Sequence, residues 1–359
     1  MQPTTRSGTS LAWALAAALS LAVAAPAARA QDVERTQAAE RTQAAERAFF
    51  SGKTVRLVVG YGPGGGYDAY ARMIAPHLSR ALGASVVVEN QPGAGGLVAL
   101  NRLTTAPPDG LTMMIVNGTG AALSQLSEQA GVRFDLGQLG YLGTVSASPW
   151  MWLVGPNSTI RTPQDAMKLG KKLNWAASGP ADGLSDGAAF TCEALKLDCH
   201  VVLGYAGSNQ AALAVTQGEM DAIYVSDTSA NNYVSSGQQR VVAAMGRSKS
   251  RFFPDAPTIF DAVALTPDAQ WLFGFRAKLE DLGRILLVPA NLPPVRLGYL
   301  QAAVKATLSE PALIAEGEKS QRYIDYLDAA ATQKNARDVV TAITPEQRKR
   351  VQDILAKAR

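Results

Sequence analysis

Histidine and cysteine are nearly missing from this chain: 359 residues hold two of each. His77 falls on a helix beside Pro76, and His200 begins a strand beside Cys199. Both read as structural, which leaves little for histidine-centred catalysis or a metal centre. Cys192 and Cys199, with six residues between them, read as a disulfide in an oxidising compartment; their spacing is not that of a zinc site. Excess charge is absent as well. A formal net charge of +4 without any basic cluster argues against nucleic acid or a membrane surface as partner. Nor does any apolar run reach the roughly 20 residues that span a bilayer. The longest, Leu11 to Ala25, follows Arg6 and precedes Ala28-Arg29-Ala30, the pattern of a cleavable signal peptide over residues 1–30. No twin arginine precedes the run and no cysteine sits at the cleavage point near Gln31, so ordinary secretion of a soluble protein is expected.

What is present is glycine in the right places. Residues 31–51 contain an immediate repeat, Arg35-Thr36-Gln37-Ala38-Ala39-Glu40 and Arg41-Thr42-Gln43-Ala44-Ala45-Glu46. Good helix formers without an apolar face predict an exposed tether. From Gly52 strands and helices alternate. Val55–Val59 is an apolar strand, and the loop after it, Gly60-Tyr61-Gly62-Pro63-Gly64-Gly65-Gly66-Tyr67-Asp68, carries five glycines in the seven positions from Gly60 to Gly66. Asp68 is the expected N-cap of a helix to Leu82, with Pro76 expected to kink or break it. Such a loop opening a helix presents N–H groups and a positive dipole end, hence an anion site. Strands 85–89 and 111–116 follow with a helix between them, which predicts a parallel sheet whose ligand loops lie at the carboxyl ends of strands.

A second series starts near Trp150. Strands 150–154, 173–176, 201–204 and 222–225 alternate with helices and end in loops bearing Ser178, Ser185, Tyr205, Gly207, Ser208 and Asp227. Two sheets with facing loop ends make a cleft. Strand 285–288, helix 295–307 and a last helix 345–357 are expected to pack back on the first half, giving two crossings and a hinge. The resulting division is 52–149 with 272–359 as lobe 1 and 150–271 as lobe 2.

Enzyme readings are thinner. Gly60-x-Gly62-x-x-Gly65 matches the dinucleotide fingerprint, with Glu89 ending the next strand, and would make the chain an exported oxidoreductase. Its third glycine, however, precedes the helix. Gly183-Leu184-Ser185-Asp186-Gly187 matches a nucleophile elbow, but a long loop separates it from its strand. No P-loop lysine follows the glycines. No catalytic residue, cofactor or metal site is predicted.

The ordered blocks Gly64-Gly65-Gly66-Tyr67-Asp68-x-Tyr70-Ala71-Arg72, Val87 through Gly96, and Pro108-Asp109-Gly110-Leu111-Thr112 resemble the signature of the tripartite tricarboxylate transporter receptors, the Bug or TctC proteins. Gly204-Tyr205-x-Gly207-Ser208, Gly218-Glu219-x-Asp221 and Phe253-Pro254-Asp255-Ala256-Pro257-Thr258 extend the resemblance to the C-terminus. It implies an α/β periplasmic binding protein of type II, two α/β lobes with a ligand cleft between them. Such a protein is a monomer that closes on a small organic carboxylate and delivers it to membrane transporter subunits. A sensory receptor for a membrane kinase would share the same cleft. Carried over, ligand contacts fall at Gly64, Gly65, Gly66, Tyr67, Asp68 and Thr119 in one lobe, and at Ser178, Ser185, Tyr205, Gly207, Ser208 and Asp227 in the other. Tyr67 departs from the small polar residue usual in this loop, and Trp271–Arg284 departs from the family pattern at the return crossing.

Overall fold

The computed structural model describes residues 37–38, 40–179, 183–341 and 343–357. The signal peptide expected over 1–30 lies outside them. The chain forms two units divided after Ser51. In the first, residues 40–50 are helical (α1) and mostly exposed, in keeping with their lack of an apolar face.

The second unit, from Gly52, holds two five-stranded sheets. It begins with β1 (Thr54–Val59), α2 (Gly66–Leu82), β2 (Ser85–Asn90), α3 (Leu97–Thr104), β3 (Thr112–Asn117), α4 (Gly118–Leu126) and β4 (Gly140–Ser146). Next come β5 (Trp150–Val154), α5 (Pro163–Met167), β6 (Leu173–Ala176), α6 (Gly183–Leu195), β7 (Cys199–Val202), α7 (Ser208–Gln217), β8 (Ala222–Ser226), α8 (Asp227–Ser235) and β9 (Arg240–Ala244). The chain then returns through α9 (Ile259–Ala262) and α10 (Pro267–Glu280) to β10 (Arg284–Val288). It finishes with α11 (Pro294–Leu308), α12 (Pro311–Lys319), α13 (Ala329–Thr341) and α14 (Pro345–Lys357).

The sheets repeat one plan. Their orders are β2-β1-β3-β10-β4 and β7-β6-β8-β5-β9. In each, three parallel strands meet an antiparallel fourth, β10 or β5, which in turn pairs with the edge strand. The sheets are therefore mixed rather than purely parallel: each antiparallel strand is the one on which the chain arrives from the other lobe. Strands β3, β5, β8 and β10 are buried throughout, as their apolar runs dictate.

Three local expectations are revised. Helix α2 starts at Gly66 with Gly65 in the N-cap position, so Asp68 lies inside the first turn. It also runs unbroken through Pro76. The last helix packs on α6 of the second lobe as well as on α4 of the first, with Lys357 Nζ 3.2 Å from the Glu193 carboxylate and Gln352 Nε2 donating to the Leu126 carbonyl at 3.4 Å. Cys192 and Cys199 are bonded and tie the end of α6 to the start of β7. Between α10 and β10 the chain turns on Gly283 (φ +53°), where a Cβ would meet the Ser146 carbonyl oxygen at 2.1 Å.

Candidate functional site

Where the lobes face each other, a small cavity of about 30 Å³ is enclosed by residues of both. Its walls come largely from the first turns of helices. Gly65, Gly66 and Tyr67 open α2, Asn117 caps α4, Ser208 opens α7, and Ser226 and Ser229 belong to the start of α8. Each such turn carries N–H groups that no earlier carbonyl can satisfy and roughly half a positive charge. Four of them meet here. Tyr61, Trp150, Leu184 and Val225 complete the wall as apolar surface.

Arg284, the first residue of β10, is the single charged side chain in this lining. It is 4% exposed. Nη1 donates to Ser146 Oγ at 3.1 Å within the first lobe. Nη2 crosses to the second lobe, donating to Ser226 Oγ at 2.8 Å and Thr228 Oγ1 at 3.1 Å. The guanidinium lies over the Tyr70 and Tyr67 rings, 4.4 and 5.3 Å from their centroids. Its Nε has no partner, and no described carboxylate forms an ion pair with it. The buried guanidinium is hydrogen-bonded only by hydroxyls, and Asp227, on whose carboxyl its charge acts, bonds to Ser250 instead, so an anion at the cavity could pair with it directly. Sequence reasoning passed over this residue; its signal was a lone arginine heading the otherwise apolar run Ile285–Val288.

The glycine loop is set by Asp68, whose carboxylate accepts from the Gly64 amide (2.8 Å), Arg72 Nε (2.9 Å) and Asn90 Nδ2 (2.9 Å). Burial pushes this carboxyl up, but those donors outweigh it and hold it below its ordinary range. Asp68 thus braces the loop from behind, and the Gly64 amide is already used. Neither faces the cavity. Tyr67 stacks on Tyr61 at 4.9 Å, and Gly66 approaches the second lobe so closely that a Cβ would sit 2.7 Å from Ser229 Oγ. The lobes also touch through the Gly62 amide, which donates to the Ala206 carbonyl at 2.9 Å.

Of the remaining candidates, Ser208 lines the cavity and Gly207 stands just before it as the α7 N-cap. Ser178 and Tyr205 line a separate space of about 250 Å³ at the cleft mouth, beside Gly60 and Pro92. Thr119 is buried and donates its hydroxyl to the Leu279 carbonyl at 2.7 Å, fastening α10. Ser185 is buried within α6. Asp227 accepts from Ser250 Oγ at 3.0 Å and borders a groove of about 860 Å³ near the crossings instead. Burial raises its carboxyl. Glu89, the would-be ribose acid, is engaged with Arg56 and Gln91. Among the described residues no group of three or more His, Cys, Asp or Glu could hold a metal ion.

The family description "Tripartite tricarboxylate transporter family receptor" matches residues 70–354. The chain belongs to this family. A UPF0065 protein of Bordetella pertussis is 24% identical over 272 residues, covering 74% of this chain and 79% of the relative. Among solved structures, MatC from Rhodopseudomonas palustris with bound malate superposes with a TM-score of 0.70 at 20% identity, over 84% of this chain and 99% of that one. The periplasmic binding protein BugD gives 0.70 at 20% identity, over 84% and 97%. An R. palustris protein with adipate gives 0.69 at 17%, over 85% and 97%. The fold is that of the type II periplasmic binding proteins, two lobes around a cleft. Family members are periplasmic solute-binding proteins rather than enzymes. Among the described residues no helix is long and apolar enough to cross a membrane.

Proposed function

We propose that this chain is a periplasmic receptor that captures a small organic carboxylate by closing its two lobes and hands it to the membrane subunits of a tripartite tricarboxylate-type transporter. It acts as a monomer and breaks no bond in its ligand. The observation that carries this reading is Arg284: buried, in an ion pair with no described carboxylate, reaching from the first lobe to the second, at a cavity where four helix N-termini converge. A carboxylate entering there pairs directly with the guanidinium and contacts both lobes at once. Only a ligand with greater affinity for the closed form shifts the population toward it, and contacts from both sides give that difference.

Gly65, Gly66, Tyr67 and Ser208 take the first-contact roles; Gly64, Asp68 and Gly207 hold those residues in place. Ser178 and Tyr205 guard the mouth, while Thr119, Ser185 and Asp227 support the walls. Malate in MatC and adipate in the R. palustris neighbour accord with an acid as ligand. Native mass spectrometry of protein freshly purified from its own cells tests the reading. Wild type should carry a small organic anion, and Arg284→Met should carry none. Equal retention by both proteins would remove Arg284 from the role.

A further inference from the structure

We infer that the ligand is a monocarboxylate with an apolar body, Arg284 being the sole anchor for its charge. This rests on the carboxylate reading above and narrows it. The one charged side chain of the lining and three of the four helix N-termini define one anion position; the fourth N-terminus, at Ser208 on α7, adds no side-chain charge. Arg284 pairs with Asn117 across the β3–β10 ladder, so the N-cap of α4 stands beside it. Its Nη2 is bonded to Ser226 at the start of α8, and the position of a Cβ on Gly66, at the start of α2, is 3.6 Å from that same nitrogen. Three of the four helix N-termini therefore reinforce the guanidinium where it lies.

The rest of the lining has no charge to offer. Tyr61 and Tyr67 form one stacked pair, and Trp150, Leu184 and Val225 supply indole and aliphatic surface. The nearby acids lie outside this lining: Asp68 braces the glycine loop, and Asp227, on whose carboxyl the Arg284 charge acts, bonds to Ser250 and borders the groove near the crossings. A second carboxylate on the ligand would meet no side-chain charge, only the α7 N-terminus at Ser208 and apolar walls. The space itself is small, enough for roughly two waters. Any bound molecule must part the lobes somewhat, and a hydrated second anion would part them further, straining contacts such as Gly62 to Ala206.

Calorimetric titration of the full chain with chain-length-matched acids is decisive: butyrate against succinate, and hexanoate against adipate. In wild type each monocarboxylate should bind at least tenfold more tightly than its dicarboxylate partner, and Arg284→Met should lose both monocarboxylates. A second variant, Leu184→Arg, places a cation in the apolar wall and should shift the preference toward succinate and adipate. Should that variant fail to fold, the wild-type ratios alone decide. Dicarboxylates binding more tightly than their partners, with loss in Arg284→Met, would overturn the monocarboxylate inference while leaving the carboxylate reading intact. Absence of binding by all four acids would overturn the inference and count against the carboxylate reading; binding undiminished in Arg284→Met would overturn the inference by removing Arg284 as the anchor, while leaving carboxylate binding intact.

Discussion

Replacing Gly66 with alanine asks whether the two lobes must meet as closely as they do. The added Cβ would lie 2.7 Å from Ser229 Oγ, while ordinary van der Waals contact starts at 3.4 Å, so the facing walls must separate by about 0.7 Å. Ser229 cannot yield freely, because it accepts a hydrogen bond from Ser226 Oγ at 3.3 Å, and Ser226 in turn accepts from Arg284. Overpacking of one methyl group in a fitted contact costs about 1–3 kcal/mol. That penalty falls on the closed form alone, since parted lobes leave the methyl in open space. At about 1.4 kcal/mol per tenfold, affinity should drop by roughly 5- to 150-fold. Gly298→Ala on α11 is the control: its Cβ would meet nothing within 4 Å, so binding should stay close to wild type. Deleting the obstructing hydroxyl in the double variant Gly66→Ala/Ser229→Ala should restore most of the loss, a non-additivity that a thermodynamic cycle measures directly. Calorimetry with whichever carboxylate most raises the wild-type melting temperature reads all four proteins. Wild-type affinity in Gly66→Ala, or no recovery in the double variant, would show that closure does not bring these walls together.

Two further perturbations test the frame around the site. Glu280 is buried on α10 beside Arg276, 3.5 Å from its Nη1, and burial drives its carboxyl up to about 8 against the pull of that arginine. The folded state thus holds this proton more tightly than the unfolded one. Its contribution to stability is complete below pH 4.5 and is lost as pH climbs toward 8. Thermal melts from pH 5 to 8.5 should fall with pH in wild type and flatten in Glu280→Gln; parallel curves would contradict this. Opening the Cys192–Cys199 bond, by reduction or by Cys192→Ala/Cys199→Ala, should lower stability by about 2–3 kcal/mol from the loop-entropy relation, measured by urea unfolding. An unchanged midpoint would mean that the bond constrains nothing that unfolding releases.

Much of the architecture was legible because buried strands are written as short apolar runs. Val55–Val59, Trp150–Val154 and Ile285–Val288 announce themselves in this way, and each proves to be a strand. Strand β4 escaped because glycines at 140 and 143 interrupt its apolar pattern, and β9 because its buried end is alanine. Direction is not encoded in such runs, so the antiparallel entry of β5 and β10 was hidden. At the site, glycine spacing located the loop but not the duties within it. Asp68 looked like a cap because the helix boundary is uncertain by a few residues from sequence alone. Arg284 was missed because its importance comes from an approach between residues 58 and 138 positions apart, to Ser226 and Ser146. Local pattern contains no trace of that meeting.

The return of β10 also bears on the order in which the molecule assembles. Its register sets Arg284 opposite Asn117, so the opening half of the chain cannot finish its own sheet until everything between them has been made. The other sheet draws all five of its strands from one uninterrupted stretch, Trp150 to Ala244. Closing loops of long sequence separation is the slow part of folding. The middle of the polypeptide therefore acquires its native shape ahead of its beginning, and the first-made strands wait on the last-made one.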